Sequence, residues 1–241
     1  MKTIVSAIVL AVFVFAAHAS AQTVIISPRK VTYKRPKPMS EYKTTFTVTY
    51  PKVKASSPAL SKKIENTISY SKVLDLNVQE EITEYQWLEE ADYEINYNAR
   101  GILVITLSMN GTGAYPDGSS KTIAIDLKTG SRLRPADVFT NLTGLTAMIR
   151  KAQRDEVVKA LKESNEDPEN GDADSATLFA GKNFSAKDLD EFAVSGKGVT
   201  FIYDYGFPHA IQALEPDGRY SFTWDQLRRY IKRGGLLSKF I

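Results

Sequence analysis

The sequence predicts an α+β fold, with a curved antiparallel β-sheet and helices packed against one face of it. Apolar and polar residues alternate in much of residues 42–127 and again in residues 192–223, and this period of two is typical of half-buried strands. Short, turn-rich connections join most of these segments, which favours antiparallel pairing. Two segments with the spacing of amphipathic helices interrupt the strands, so we expect helices to cover the sheet.

The first predicted strand covers residues 42–53. Within it, Phe46, Val48 and Tyr50 alternate with threonines until Pro51 ends the pattern. We therefore expect a half-buried strand whose apolar side faces the core.

A helix is predicted directly after this strand. Leu60, Ile64 and Ile68 are spaced by four residues, and Ser57 stands before Pro58 as a helix cap would. The spacing gives the helix one apolar stripe, so we expect it to lie on the sheet.

The remaining elements follow the same two periods. They are, in chain order, strands in residues 92–98, 103–109 and 122–127, a helix in residues 135–161, strands in residues 192–194, 199–205 and 219–223, and a helix in residues 224–232. All of them belong to one predicted domain, residues 41–241, with an N-terminal part (residues 41–100) and a C-terminal part (residues 101–241).

Residues 1–21 have the organisation of a secretory signal peptide. Lys2 supplies the positive start, an apolar run follows, and small residues ending at Ala19 or Ala21 offer a cleavage site. The apolar run of about 14 residues is shorter than the roughly 20 that span a bilayer, which argues against a retained anchor. Because the chain contains no cysteine, it has no lipid-anchor motif. We therefore expect a periplasmic or extracellular protein without a membrane span after cleavage.

Residues 22–40 are predicted to form a basic arm, because their prolines interrupt regular structure and their lysines and arginines favour solvent. Residues 22–63 contain ten Lys or Arg and one acid, whereas residues 75–94 contain eight acids and no base. Such asymmetry would steer an anionic partner such as a wall polymer. The alternative is a solvated basic arm beside an acidic face, with no partner implied.

Two motifs suggest catalysis or phosphate binding, and neither is complete. Lys128-Thr129-Gly130 matches a motif of penicillin-binding enzymes, but the Ser-Asp-Asn motif that accompanies it does not occur in the chain. Gly111-Thr112-Gly113 lacks the third glycine of a dinucleotide-binding loop. We interpret both motifs as turns between strands, and we expect neither a cofactor nor a nucleic-acid partner.

Residues 165–176 are rich in acids, which suggests a calcium loop. Counted from Asn165, however, Gly171 is seventh rather than sixth, and Ala176 stands where an EF-hand requires glutamate. An acidic surface loop is the expected structure, and no metal site is predicted.

His209 is the one histidine left after the predicted cleavage, in the sequence "YDYGFPHAIQ". A catalytic triad would have to use it, and a zinc site of usual composition would need a second histidine. Packing, ligand contact and general-base catalysis all remain open for this residue. A pair of carboxylates that cleaves glycosidic bonds also remains open, since sequence gives no distances.

Three blocks in order resemble the RsiV-like extracytoplasmic domains, which also occur beside peptidoglycan deacetylase modules. The blocks are "FTVTYPKV" with "ALSKKIENTIS", "GILVITLSMNGTGAYPDGSSKTIAIDLKTGSRLRPADVF" and "GVTFIYDYGFPHAIQALEPDGRYSFTWDQLRRYI". The resemblance implies an α+β sensor or binding module, because the best understood member is an anti-sigma factor whose outer domain binds lysozyme. Where the family has Gly-Ala-His and Pro-Tyr-Ala, this chain has Gly113-Ala114-Tyr115 and Pro208-His209-Ala210.

We therefore expect a secreted or periplasmic, non-enzymatic domain that recognises a cell-wall polymer or a wall-acting protein such as lysozyme. A cell-wall hydrolase that uses His209 or a carboxylate pair is the alternative, and a structural envelope component without a small ligand is a third reading. Exposed aromatic residues beside turns are typical of recognition surfaces. The predicted ligand surface consists of Tyr115, Pro116, Asp117, Tyr205, Phe207, Pro208 and His209.

Overall fold

The computed structural model describes residues 23–166 and 175–241. The predicted signal peptide therefore lies outside the described residues, and so does most of the acidic segment considered for calcium.

A six-stranded sheet forms the centre of the structure, and its strands are arranged in the order in which they occur along the chain. All neighbours pair antiparallel except the second and third strands, which pair in parallel over a short stretch. The strands are β1 (Ile25–Lys34), β2 (Thr45–Lys54), β3 (Leu88–Ala99), β4 (Ile102–Thr112), β5 (Pro116–Asp126) and β6 (Ser131–Arg132).

Three helices connect the two parallel strands: α1 (Pro58–Thr67), α2 (Tyr70–Val73) and α3 (Val78–Thr83). The Ser57 hydroxyl accepts a hydrogen bond from the Leu60 amide at 3.2 Å, so the predicted cap of α1 is confirmed. A parallel pair requires a crossover of this kind, because a tight turn joins only antiparallel strands.

The C-terminal part combines helices with a second, three-stranded antiparallel sheet. Its elements are α4 (Pro135–Val138), α5 (Leu142–Glu166), α6 (Ser175–Leu178), β7 (Phe192–Val194), β8 (Gly198–Ile202), β9 (Arg219–Thr223) and α7 (Trp224–Leu227). Short 3₁₀ helices lie at Glu41–Lys43, Ala186–Asp190, His209–Leu214, Arg228–Tyr230 and Leu236–Phe240.

Strand β4 separates two hydrophobic cores. Ile102 and Val104 pack with α5 and the small sheet, whereas Leu103 and Ile105 pack with α1 and β2. Because successive side chains of a strand point to opposite faces, the large sheet is covered on both sides. The predicted α+β class is confirmed, and the structure adds a parallel strand pair and a helix-bearing layer on each face.

Strand β1 occupies most of the segment predicted as an arm, so the expectation that its prolines prevent regular structure is wrong. Pro28 lies opposite Pro51 of β2. The Arg35 amide donates to the Thr44 carbonyl oxygen at 2.9 Å, so these two residues form a hydrogen-bonded pair. Hydrogen-bonded and non-hydrogen-bonded pairs alternate along an antiparallel ladder, and by this alternation Pro28 and Pro51 form a non-hydrogen-bonded pair. Proline is tolerated there because no donor is missed, and β2 continues past Pro51 for the same reason.

The Arg35 guanidinium, at the end of β1, is enclosed by the protein. It donates to the carbonyl oxygens of Glu81 at 2.9 Å, Lys43 at 3.2 Å, Thr45 at 3.3 Å and Leu88 at 2.6 Å. The Glu81 carboxylate lies 3.7 Å from its Nη2 atom and accepts from the Leu88 amide. This one side chain therefore holds the β1–β2 loop, α3 and the start of β3 together.

Substituting Arg35→Met should lower the free energy of unfolding by about 3–5 kcal/mol, because it leaves four carbonyl oxygens and a buried carboxylate without their donor. Urea unfolding followed by circular dichroism measures the change. Arg29→Met is the matched control, since Arg29 is an exposed arginine on the same strand and should change stability by about 0.5 kcal/mol or less. Equal stability of the two variants would contradict the assigned role.

Candidate functional site

The predicted Tyr115-Pro116-Asp117 loop is the tip of the β4–β5 hairpin. Thr112 pairs with Pro116, so Gly113-Ala114-Tyr115 makes the turn. Asp117 and Gly118 lie in β5, because the ladder continues to the tip. Tyr115 is 68% exposed, as a recognition residue must be.

Three chain segments meet at this end of the sheet. The Lys43 ammonium, on the β1–β2 loop, donates to the carbonyl oxygens of Trp87 at 3.2 Å and Thr112 at 2.6 Å. It also pairs with the Glu89 carboxylate at 3.0 Å, and that hydrogen bond holds the pKa of Glu89 below its ordinary value. The loop, the start of β3 and the hairpin base are thus joined by one cation.

The backbone of the hairpin base lies very close to the backbone before β3, which restricts how the two segments can move. A side chain on Gly111 would place its Cβ 2.1 Å from the Trp87 carbonyl oxygen, so only glycine fits there. On the other side, the Gln86 side chain accepts from the Met39 amide at 2.7 Å and donates to the Lys37 carbonyl oxygen at 2.8 Å. Each segment is therefore fixed by hydrogen bonds to another.

Each of the three segments carries an exposed tyrosine. Tyr42 is 92% exposed, Tyr85 63% and Tyr115 68%. We call these three residues, whose segments are linked by the contacts of Lys43 and Gln86, the tyrosine end. Tyr42 precedes the linking Lys43, and Tyr85 precedes the linking Gln86, so both rings are attached to fixed backbone.

The second predicted loop does not supply exposed rings. Tyr205 is 2% exposed and Phe207 7%, and both pack against Phe179 with ring centroids 5.7 and 5.3 Å away. The prediction that these two residues form a ligand surface is wrong, because both belong to the packed interior. Pro208 is exposed.

His209 begins a 3₁₀ helix, and its side chain lies outside the described part of the structure. Its assignment as a ligand or catalytic residue therefore stays a prediction.

A buried network explains the position of Tyr205. Its hydroxyl lies 2.8 Å from the Tyr220 hydroxyl, and both tyrosines donate to the Glu156 carboxylate, at 2.9 and 2.7 Å. Burial is the main cause of a raised pKa for both tyrosines, so both remain protonated donors at neutral pH. The network stabilises the contact of α5 with the small sheet and leaves no group for a ligand.

The two predicted loops therefore do not form one surface. Gly113 of the hairpin tip lies beside the Trp87 ring, while the second loop continues from Tyr203, which lines a cleft together with Lys121 of β5. Six residues of strand separate Tyr115 from Lys121, which is about 20 Å at the rise of an extended chain.

The candidate catalytic motif is a turn, as predicted. Gly130 has φ of +68°, and its amide donates to the Asp126 carbonyl oxygen at 2.7 Å. The Asp126 carboxylate also accepts from the Lys128 amide at 2.8 Å and from the Thr129 hydroxyl at 3.0 Å. These contacts close the β5–β6 hairpin.

A cleft of about 310 Å³ with charges of both signs lies between β5 and the small sheet. We call it the mixed-charge cleft. Its lining residues are Lys121, Arg132, Lys187, Asp188, Asp190, Glu191, Ile202, Tyr203 and Asp204.

Glu191 is the most perturbed acid in this cleft. Its carboxylate accepts from the Thr122 amide at 2.9 Å. Burial raises the pKa of this carboxyl group, and the charge of Asp204 adds to the increase. Lys121 and Arg132 act in the opposite direction. A carboxylic acid with a raised pKa beside a second carboxylate is the kind of group that general acid catalysis uses.

Sequence reasoning missed Tyr42, Tyr85 and Glu191. Tyr42 stands before a strand and Tyr85 in an acidic stretch, so neither had a pattern that marked it. Glu191 had a weak signal, since it is a charged residue directly before the apolar "FAV" of β7. By contrast, the burial of Tyr205 was readable, because Phe201, Tyr203, Tyr205 and Phe207 alternate with the period of a strand.

Residues 23–166 and 175–241 contain neither a metal-binding cluster nor a membrane-spanning helix. No cluster of three or more His, Cys, Asp or Glu there is arranged to hold a metal ion. None of the helices in the same residues has the length and apolar character needed to cross a membrane.

Comparison with known proteins identifies the fold and no function. No family model matches the sequence, and no curated protein matches it either. A solved structure of a DUF3298 family member from Bacteroides fragilis has a TM-score of 0.57 and 12% identity, covering 92% of this chain and 98% of the other. A DUF3298 family protein from Pseudomonas aeruginosa has a TM-score of 0.52 and 13% identity, covering 88% and 95%. The chain therefore shares the fold of solved DUF3298 proteins, whose family description assigns no activity.

Proposed function

We propose that the protein is a secreted or periplasmic, non-enzymatic binding or sensor domain. Its ligand surface is the tyrosine end, and its partner is a cell-wall polymer or a wall-acting protein such as lysozyme. The observation that carries the proposal is the exposure of Tyr42, Tyr85 and Tyr115 on three segments that are joined by hydrogen bonds.

Exposed rings on a fixed backbone suit recognition for two reasons. A tyrosine offers a large apolar face and a polar hydroxyl, which fits the faces of sugar rings as well as the hot spots of protein interfaces. The contacts of Lys43 and Gln86 order the backbone before binding, so little conformational entropy is lost on association. A surface of this kind can bind its partner without a catalytic residue.

The RsiV-like assignment is part of the proposal. It is supported by the order of the three sequence blocks and by the α+β fold, which is shared with DUF3298 proteins. The tip residue Tyr115 occupies the place of the family's histidine, so the surface retains an aromatic ring while its hydrogen bonding differs. Secretion rests on residues 1–21, which we propose to be a cleaved signal.

The double variant Tyr42→Ser, Tyr115→Ser should bind the partner at least about 10-fold more weakly, because exposed aromatic anchors contribute about 1–2 kcal/mol each. Pull-down with purified peptidoglycan and titration with lysozyme by calorimetry measure the loss. Val158→Ser is the control, since Val158 is 66% exposed on α5 and lies on the other face of the sheet. If the double variant binds as tightly as the wild type, the tyrosine end is not the ligand surface.

The mixed-charge cleft favours one second candidate, a cell-wall hydrolase that uses a carboxylate pair. Glu191, with its raised pKa, would protonate the leaving oxygen, and Asp204 would act as the base or the nucleophile. Lys121 and Arg132 would contact anionic groups of the substrate.

Digestion of purified wall separates this candidate from the binding module. If the cleft is catalytic, the wild type releases soluble fragments and Glu191→Gln lowers the rate by about 100-fold or more, the size of a general-acid contribution. Asp204→Asn tests the second carboxylate, and His209→Ala tests the other catalytic reading. If the wild type releases no soluble fragments, the cell-wall hydrolase hypothesis is rejected.

The stability of the fold should depend on the ionisation of Glu191. Because its pKa is raised in the folded state, the folded protein binds more protons than the unfolded chain between the ordinary pKa and the folded pKa. The free energy of unfolding should therefore fall as pH rises through this window. Glu191→Gln retains an acceptor for the Thr122 amide but cannot ionise, so this fall should disappear in urea unfolding at pH 4.5 to 7.5. A pH profile unchanged by the substitution would show that Glu191 ionises normally.

A further inference from the structure

A second charged cleft, of about 1060 Å³, lies near the C-terminal end of the chain, and its cations greatly outnumber its acids. We call it the basic cleft. Among the described residues, Asp225 is the one acidic side chain that lines it. The lining residues are Thr140, Asp225, Gln226, Arg228, Arg229, Ile231, Lys232, Arg233 and Ile241.

The backbone under these cations is fixed. Phe139 forms an isolated antiparallel bridge with Ile231. The Thr140 amide donates to the Tyr230 carbonyl oxygen at 2.7 Å, and the Lys232 amide donates to the Val138 carbonyl oxygen at 2.9 Å. These two hydrogen bonds, which flank the bridge, hold the basic segment against the link between α4 and α5.

The four cationic side chains of the cleft are exposed, and the ammonium of one of them, Lys232, donates to the Ala136 carbonyl oxygen at 3.3 Å. The Arg229 guanidinium lies 4.8 Å from the centre of the Tyr230 ring and donates to its hydroxyl at 2.8 Å. Arg228 pairs with Asp225 at 3.0 Å, but both side chains are more than half exposed, so the pairing is weak. Arg233 is exposed. The cleft therefore has a net positive charge, because its one acidic side chain among the described residues does not balance its four cations.

We propose that the basic cleft is a binding site for a linear polymer with repeating phosphate groups that is not a nucleic acid. Three of its four cations are arginines, whose planar forked donors match phosphate oxygens two at a time. Its volume accommodates several repeating units rather than a single ion. Single-stranded nucleic acids are disfavoured because they bind through stacking on aromatic rings, and the described lining residues include none.

The site is separate from the tyrosine end and does not depend on the function proposed for it. The tyrosine end belongs to the β1–β5 layer, whereas the basic cleft is built on the C-terminal segment after β9. Variants of one site therefore leave the other intact, and the two ideas can fail independently.

The test is titration of the full chain with long-chain inorganic polyphosphate. Arg228→Gln, Arg233→Gln should weaken binding by about 10-fold or more and reduce the slope of log K against log salt by about two, because two phosphate contacts are lost. Both residues are exposed, so the fold should persist, and circular dichroism checks this. Asp225→Asn should strengthen binding, since it removes the one acidic side chain among the described lining residues of the cleft.

Lys62→Gln, Lys63→Gln is the matched control, because it removes the same charge from the exposed side of α1. Polyphosphate binding equal in the arginine and lysine variants would overturn the site, since net charge alone would then explain it. Single-stranded DNA that binds as tightly as polyphosphate, and that loses affinity in the arginine variant, would overturn the choice of ligand.

Discussion

The buried guanidinium of Arg35 is the interaction on which the arrangement of the N-terminal part depends. Removing an arginine from water is costly, and the cost is offset only because four carbonyl oxygens and the Glu81 carboxylate surround it. The Phe46 ring lies 4.6 Å from its carbon Cζ and excludes water. These acceptors come from a loop, a helix and a strand that are distant in sequence, so the guanidinium determines where the β1–β2 loop lies.

The position of that loop in turn determines the candidate site. Lys43 follows in the same loop and connects it to the hairpin base, which brings the backbone of Tyr42 to the end of the sheet that carries Tyr115. Exposed aromatic rings are ordinarily mobile, whereas these are attached to segments that a buried cation and a half-buried cation fix. The tyrosine end therefore owes its order to Arg35 and Lys43, two residues of the basic stretch 22–63 that the sequence suggested would steer an anionic partner or be solvated.

Features that depend on neighbouring residues in the chain were predicted correctly from the sequence, whereas features that depend on tertiary contacts were not. The cap of α1 by Ser57 and the turn at Gly130 depend on neighbours in the chain, and both predictions were confirmed. Strand β1 was missed because the ladder register, which places Pro28 at a position without hydrogen bonds, is a tertiary feature. Arg35 likewise looks like any surface arginine until its acceptors are known. The predicted site was partly right: Tyr115 is exposed as expected, whereas Tyr205 is buried, as its place in an alternating run indicates.

The separation of the predicted loops limits what kind of partner can touch both. Tyr115 at the hairpin tip and His209 in the second loop are two positions at which the sequence departs from the RsiV-like motifs that it resembles. The tip lies about 20 Å along β5 from the cleft that begins the second loop, farther than a small ligand reaches. If both departures reflect one partner, that partner has to be a polymer or a protein. A small ligand would contact only one of the two loops. The residue difference in the other loop would then need a separate explanation.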